Sequence, residues 1–159
     1  MRVGCTGHQG IPEATRQLVS RALDDLLSGL PSPELIGLTC LADGADQVFA
    51  TAMLKRGGAL EVIVPALEYR DGLAPAETRR RYDEFIVRAS RIVKLPFVES
   101  SEEAHMAAGR RIVETSDLLV AVWDGKPARG HGGTADVVEY SRLKGVPVEV
   151  VWPTGSSRD

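Results

Sequence analysis

Short apolar runs alternate with longer stretches of helical periodicity along the whole chain, and this constrains the fold more than any single motif. Met1 to Cys5 reads as a strand. Pro12 to Ser28 reads as a helix with Val19, Leu23, Leu26, Leu27 and Leu30 on one face. Pro12 suits its first turn, Gly29 its end, and Pro31 and Pro33 block continuation. Glu34 to Leu41 is a second strand. Ala45 to Arg56 is a second helix, with Ala45, Val48, Phe49 and Ala52 inward and Gly57 and Gly58 stopping it. Leu60 to Val64 is a third strand, and Pro75 to Ser90 a helix built on Thr78, Tyr82, Phe85, Ile86 and Ala89. Arg91 to Leu95 is a fourth strand. The next helix opens with a capping box, Ser100 with Glu103, and ends at Thr115. Leu118 to Trp123, Gly133 to Lys144 and Val146 to Trp152 complete the order as strand, helix, strand.

Strand-helix repetition of this kind builds a parallel sheet, because parallel neighbours need a crossover and the helix supplies it. The expected fold is α/β, Rossmann-like and doubly wound: a mainly parallel six-stranded sheet with helices on both faces. A length of 159 residues suits one domain, residues 1–153, with the polar tail 154–159 expected to be disordered. Aromatics are only 5%, so Val, Leu, Ile and Ala must fill the core, which suits such a sheet.

Charge and cysteine content exclude several function classes. The net charge of −3, with both signs mixed along the chain, argues against a nucleic-acid groove. Cys5 and Cys40 are too few for a disulfide scaffold and read as small core filler in buried strands. No apolar run approaches the ~20 residues of a membrane span, and the chain opens on a strand rather than a signal peptide. A cytoplasmic location is expected. His8, His105 and His131 lack metal-ligand spacing, so no metal and no resident cofactor is expected.

In a parallel sheet every strand-to-helix loop lies at one edge, and ligands bind there, where strand order reverses. Three of these loops carry glycine. The first runs Gly4-Cys5-Thr6-Gly7-His8-Gln9-Gly10. Its GxxGxxG spacing is neither the dinucleotide fingerprint nor a Walker A. It reads as a tight turn or as a ligand loop, with Thr6, His8 and Gln9 as donors. The second is Leu41-Ala42-Asp43-Gly44-Ala45-Asp46. Asp43 by default caps the next helix, Gly44 permits close approach, and Asp46 complements the helix dipole. The third runs from Asp124 and Gly125 to Gly130-His131-Gly132-Gly133-Thr134, straight into a helix. It can present several amide N–H groups and the Thr134 hydroxyl to one anion. Asp124 accepts from a ribose or base, or forms a turn, and Arg129 is placed to meet a phosphate. Arg79, Arg80 and Arg81 read mainly as a solvated helix face. Asp136 and Glu139 are the carboxylates best placed for acid–base work, although dipole complement and surface exposure explain them too.

The third loop resembles the glycine-rich PGGxGTxxE loop of LOG-type proteins, often mislabelled lysine decarboxylase. Leu41 to Asp46 resembles the GLAxGID segment of DprA proteins, and Gly4 to His8 is similar to the first loop of both. Together these resemble the SLOG superfamily of Rossmann-like domains, over Arg2 to Trp152. The resemblance implies a nucleotide or nucleotide-derived phosphate ligand as partner. LOG-type activity would add hydrolysis of a nucleoside 5′-monophosphate, releasing the base. The family places its catalytic Glu three residues after the Thr, which here is Val137, with Asp136 one residue earlier. Its Met-x-x-Arg-Lys pattern is displaced too: Gly109 lies three after Met106, followed by Arg110 and Arg111. The expected catalytic set is therefore Asp136, Glu139, Arg110 and Arg111. DprA-like single-stranded DNA binding is the remaining reading, without the basic excess or aromatic platform it would need. The Tyr82, Phe85 and Ile86 face is expected to be core or a homodimer (or higher homo-oligomer) interface.

Overall fold

Six strands pair in the order β4-β3-β2-β1-β5-β6, every neighbouring pair parallel. The computed structural model describes residues 1–128 and 132–158. The elements are β1 (Arg2–Gly7), α1 (Glu13–Ser28), β2 (Ile36–Thr39), α2 (Ala45–Lys55), β3 (Ala59–Val64), α3 (Ala76–Arg88), β4 (Arg91–Lys94), α4 (Glu102–Glu114), β5 (Leu118–Val122), α5 (Thr134–Leu143) and β6 (Val148–Val151). One 3-10 turn, Arg70–Gly72, lies between β3 and α3. The chain winds outward from β1 to β4, then returns to the other side of β1 for β5 and β6. Strand order thus reverses between β1 and β5.

The period-two alternation of the strands sorts the core into two layers. Val3, Leu60, Val62, Leu118, Val120 and Val122 face one way and meet Val19 and Leu23 of α1, Phe49 and Met53 of α2, and Tyr82 of α3. Leu38, Ile63 and Leu119 face the other way, against Met106, Ile112 and Val113 of α4 and Val137 of α5. Burying one such side chain contributes about 1.5–3 kcal/mol, which makes these stripes the main adhesive of the fold. Tyr82 lies in the first layer, and Phe85 and Ile86 pack against it partly buried. Among the described residues no helix is long and apolar enough to cross a membrane.

Three local expectations are corrected. The second strand stops at Thr39 rather than Leu41, because Leu41 turns left-handed (φ 59°) while its amide donates to Thr39 Oγ1 at 3.0 Å. The cap of α4 is Ser101, whose hydroxyl accepts from the Ala104 amide at 3.1 Å. Ser100 instead sits 2.8 Å from His105 Nε2, so no Ser100–Glu103 box forms. The tail is not a loose end through Arg158. The Ser157 amide donates to Thr15 Oγ1 at 2.9 Å, and the Thr15 hydroxyl donates to the Ser157 carbonyl at 3.0 Å.

Candidate functional site at the strand-order reversal

Strand β1 ends in Thr6 and Gly7, and its loop stays against β5: the His8 amide donates to the Val122 carbonyl at 3.1 Å. The His8 ring Nε2 then lies 3.0 Å from the Asp124 amide and 3.2 Å from the Asp124 carboxylate. As neutral imidazole it accepts from the amide; as imidazolium it pairs with the carboxylate. Asp124 Oδ1 also accepts from the Lys126 amide at 2.9 Å, closing a turn over Gly125. Burial alone would raise the Asp124 pKa, but the Lys126 amide, His8 and Arg158 together outweigh it and hold the carboxyl below its usual range. The two loops flanking the reversal point are therefore locked to each other.

Between them opens a cavity of about 410 Å³. Thr6, Gly7, His8 and Gln9 form one wall. Gly132, Gly133, Thr134 and Ala135 form the opposite one, at the start of α5. Cys5, Cys40, Asp46, Tyr69 and His105 also line it. Thr134 opens α5 and is 8% exposed; the N-cap is Gly133, which has no side chain to cap with. Gly132 takes a positive φ of 85°, and a Cβ there would stand 2.9 Å from the Glu102 carbonyl. Its glycine is demanded by the approach of the loop to α4. Its amide donates to Asp136 Oδ2 at 3.0 Å.

Asp46 is the surprise of this site. At the start of α2 it was expected to complement the dipole, yet it is 7% exposed and lines the cavity. Its Oδ2 accepts from the Ala42 amide at 3.1 Å. Burial pushes its pKa up to about 7, against hydrogen bonds from Ala42, Cys5, Thr39 and Cys40 that pull it down. Cys5 belongs to the core and Cys40 packs against it; both also border the cavity, and burial raises both thiols well above their usual value. His105 is held below its ordinary value by burial, partly offset by Glu102. Its ring lies 5.8 Å from that of Tyr69, edge to face.

No protein-family model and no curated protein matches the sequence. Solved structures do. DNA processing protein A (DprA) from Streptococcus pneumoniae superposes with a TM-score of 0.71 at 16% identity, over 97% of this chain and 51% of that one. DprA from Helicobacter pylori, described for its single-stranded DNA binding mode, gives 0.68 at 13% identity, over 99% and 68%. The molybdenum cofactor binding protein from Rippkaea orientalis gives 0.57 at 15% identity, over 94% and 74%. The fold is the Rossmann-like α/β fold of these DprA structures. This chain spans about half the length of the Streptococcus protein.

Within that frame the expected ligand residues divide. Thr6, Gly7, His8, Gln9, Gly132, Gly133 and Thr134 line the cavity. Gly4 sits mid-strand, where a Cβ would meet Ile112 of α4 and Ser116 just past its end, so its role is packing. Asp43 does not cap α2, whose N-cap is Gly44. Its carboxylate binds the Gly10 amide (3.2 Å), Arg16 (3.1 Å) and the Thr78 hydroxyl (2.7 Å), tying the first loop, α1 and α3 together. Gly44 (φ 89°) lies under that first loop, where a Cβ would stand 2.7 Å from the His8 carbonyl. Gly125 is an exposed turn residue, and Asp124 positions its neighbours. Arg129, Gly130 and His131 lie outside the described residues.

None of the four expected catalytic residues is among the described residues that line the cavity. Glu139 is exposed, and Asp136 is engaged with the Gly132 amide. The Arg110 guanidinium lies 5.5 Å from the Tyr140 ring centre, away from the crevice. Arg111 does not line it either, and its Nε is buried without a hydrogen-bond partner among the described residues. Arg80 and Arg81 pair with Glu77 on the helix surface, and Arg79 donates to the Leu73 carbonyl, as a solvated face would. Arg158 was missed, because a polar tail carries no signal that it returns to the sheet edge.

Proposed function

We propose that this domain binds a nucleotide, or a nucleotide-derived ligand carrying a phosphate, in the crevice between β1 and β5. The observation that carries this reading is the meeting of the cavity with the first turn of α5 where strand order reverses. First-turn amides have no partner inside their own helix, and the helix dipole adds partial positive charge there. The Thr134 hydroxyl supplies a further donor. A volume of about 410 Å³ lies within the range of small-molecule sites. The Rippkaea neighbour binds a cofactor and the Helicobacter neighbour binds single-stranded DNA, so ligand binding on this fold supports the reading.

Holding rather than hydrolysing the ligand fits the scattering of Asp136, Glu139, Arg110 and Arg111. Small ligands rather than DNA fit the net charge of −3. Calorimetry against a panel of nucleoside mono-, di- and triphosphates and ADP-ribose tests this. Saturable binding by at least one is expected. No heat from any of them at millimolar concentration, or a low-salt gel shift with single-stranded DNA in their place, would overturn it.

A further inference from the structure

Past β6, three contacts hold the chain to the first loop, to α1 and to Asp124. The Trp152 ring meets the His8 ring edge to face, with centres 5.4 Å apart. Ser157 and Thr15 exchange two hydrogen bonds, with the Thr15 side chain buried in the first turn of α1. Arg158 then turns into the cavity, where its Nη1 lies 3.7 Å from Asp124 Oδ2. The Arg158 side chain is only 20% exposed.

Holding an arginine side chain at 20% exposure sacrifices rotamer entropy. A single contact at 3.7 Å is beyond direct hydrogen-bond length and is weak compensation. A guanidinium carries five donors in a fixed fork that matches phosphate oxygens, and this contact uses one nitrogen. Asp124 aims the group; it is itself fixed by His8 and the Lys126 amide. We infer that Arg158, strapped to α1 by Ser157 and Thr15 and aimed by Asp124, is the cation that meets the ligand's phosphate in the β1/β5 crevice. The inference rests on the nucleotide reading above and names the residue that reading lacked.

The test uses the full chain and AMP as the probe, with calorimetry from low to moderate salt on wild type, Arg158→Gln and Arg158→Lys. Melting curves confirm that each variant is folded. Arg158→Gln is expected to weaken AMP at least tenfold and to flatten the salt dependence of its affinity, because screening acts on the removed charge. Arg158→Lys is expected to keep the salt dependence and recover part of the affinity. AMP binding by Arg158→Gln within twofold of wild type would overturn the assignment while leaving the nucleotide site standing. So would a loss with unchanged salt dependence, which marks a merely structural tail. Wild type that binds neither AMP nor any other nucleotide overturns the site itself, and Arg158 with it.

Discussion

Asp46 shows how far a residue's meaning depends on what surrounds it. Its spacing behind Gly44 is that of an ordinary helix-start carboxylate, and only the packing of β1, β2 and α2 buries it. Its pKa of about 7 in the fold exceeds the 3.8 of a free carboxyl. Between those values the folded protein binds the extra proton, so Asp46 lowers stability progressively as pH rises from about 4 to 7, and the loss levels off above. Asp46→Asn keeps a hydrogen-bond acceptor and removes the titration. The variant is expected to gain on wild type by on the order of a few kcal/mol at pH 8 and by nothing near pH 4, read from urea midpoints at both. Gly44 makes a second test at this scale. Gly44→Ala is expected to cost about 2 kcal/mol or more, because its φ of 89° disfavours a Cβ and the His8 carbonyl occupies the space. Thr134→Val keeps shape and removes the hydroxyl. It is expected to weaken AMP about tenfold by calorimetry without changing the melting temperature, the effect of one hydrogen bond to a charged group.

At the scale of elements, most of the fold was legible. Strand and helix existence followed from periodicity, since only an inward stripe matters to the core. What escaped was set by tertiary contact. The Leu41 reversal ended β2 early and left Cys40 at the cavity edge. Ser101 won the cap of α4 from its neighbour while Ser100 turned to His105. The tail found Thr15, which no local pattern announces. The opposite edge of the sheet holds a second lesson. Glu61, 3% exposed on β3, pairs with Arg2 of β1 at 2.8 Å and with Arg91 of β4 at 3.5 Å. Glu61→Ala would leave the half-buried Arg2 without its carboxylate and is expected to cost about 3 kcal/mol in urea unfolding. Arg91→Ala, removing a side chain that is 62% exposed, is expected to cost under about 1 kcal/mol.

For the whole molecule, topology does what no single motif could. The GxxGxxG spacing of the first loop was too weak to name a ligand. The glycine-rich third loop was readable as an anion site because it ran into a helix. Their convergence needed only the placement of β1 beside β5, which the β-α order implied and the sheet order displays. The catalytic set carried over from the LOG resemblance did not converge, because those residues were displaced along α4 and α5 by one or more positions and a helix turns about 100° per residue. The resulting picture is a Rossmann-like domain with a built crevice whose described lining holds none of Asp136, Glu139, Arg110 and Arg111. An amide chemical-shift titration of the ¹⁵N-labelled chain with AMP tests that crevice most directly. Saturable shifts should concentrate at Thr6 to Gln9 and at Gly133 to Ala135. Shifts confined to another part of the surface, or none at millimolar AMP and at the same concentration of ADP-ribose, would contradict it.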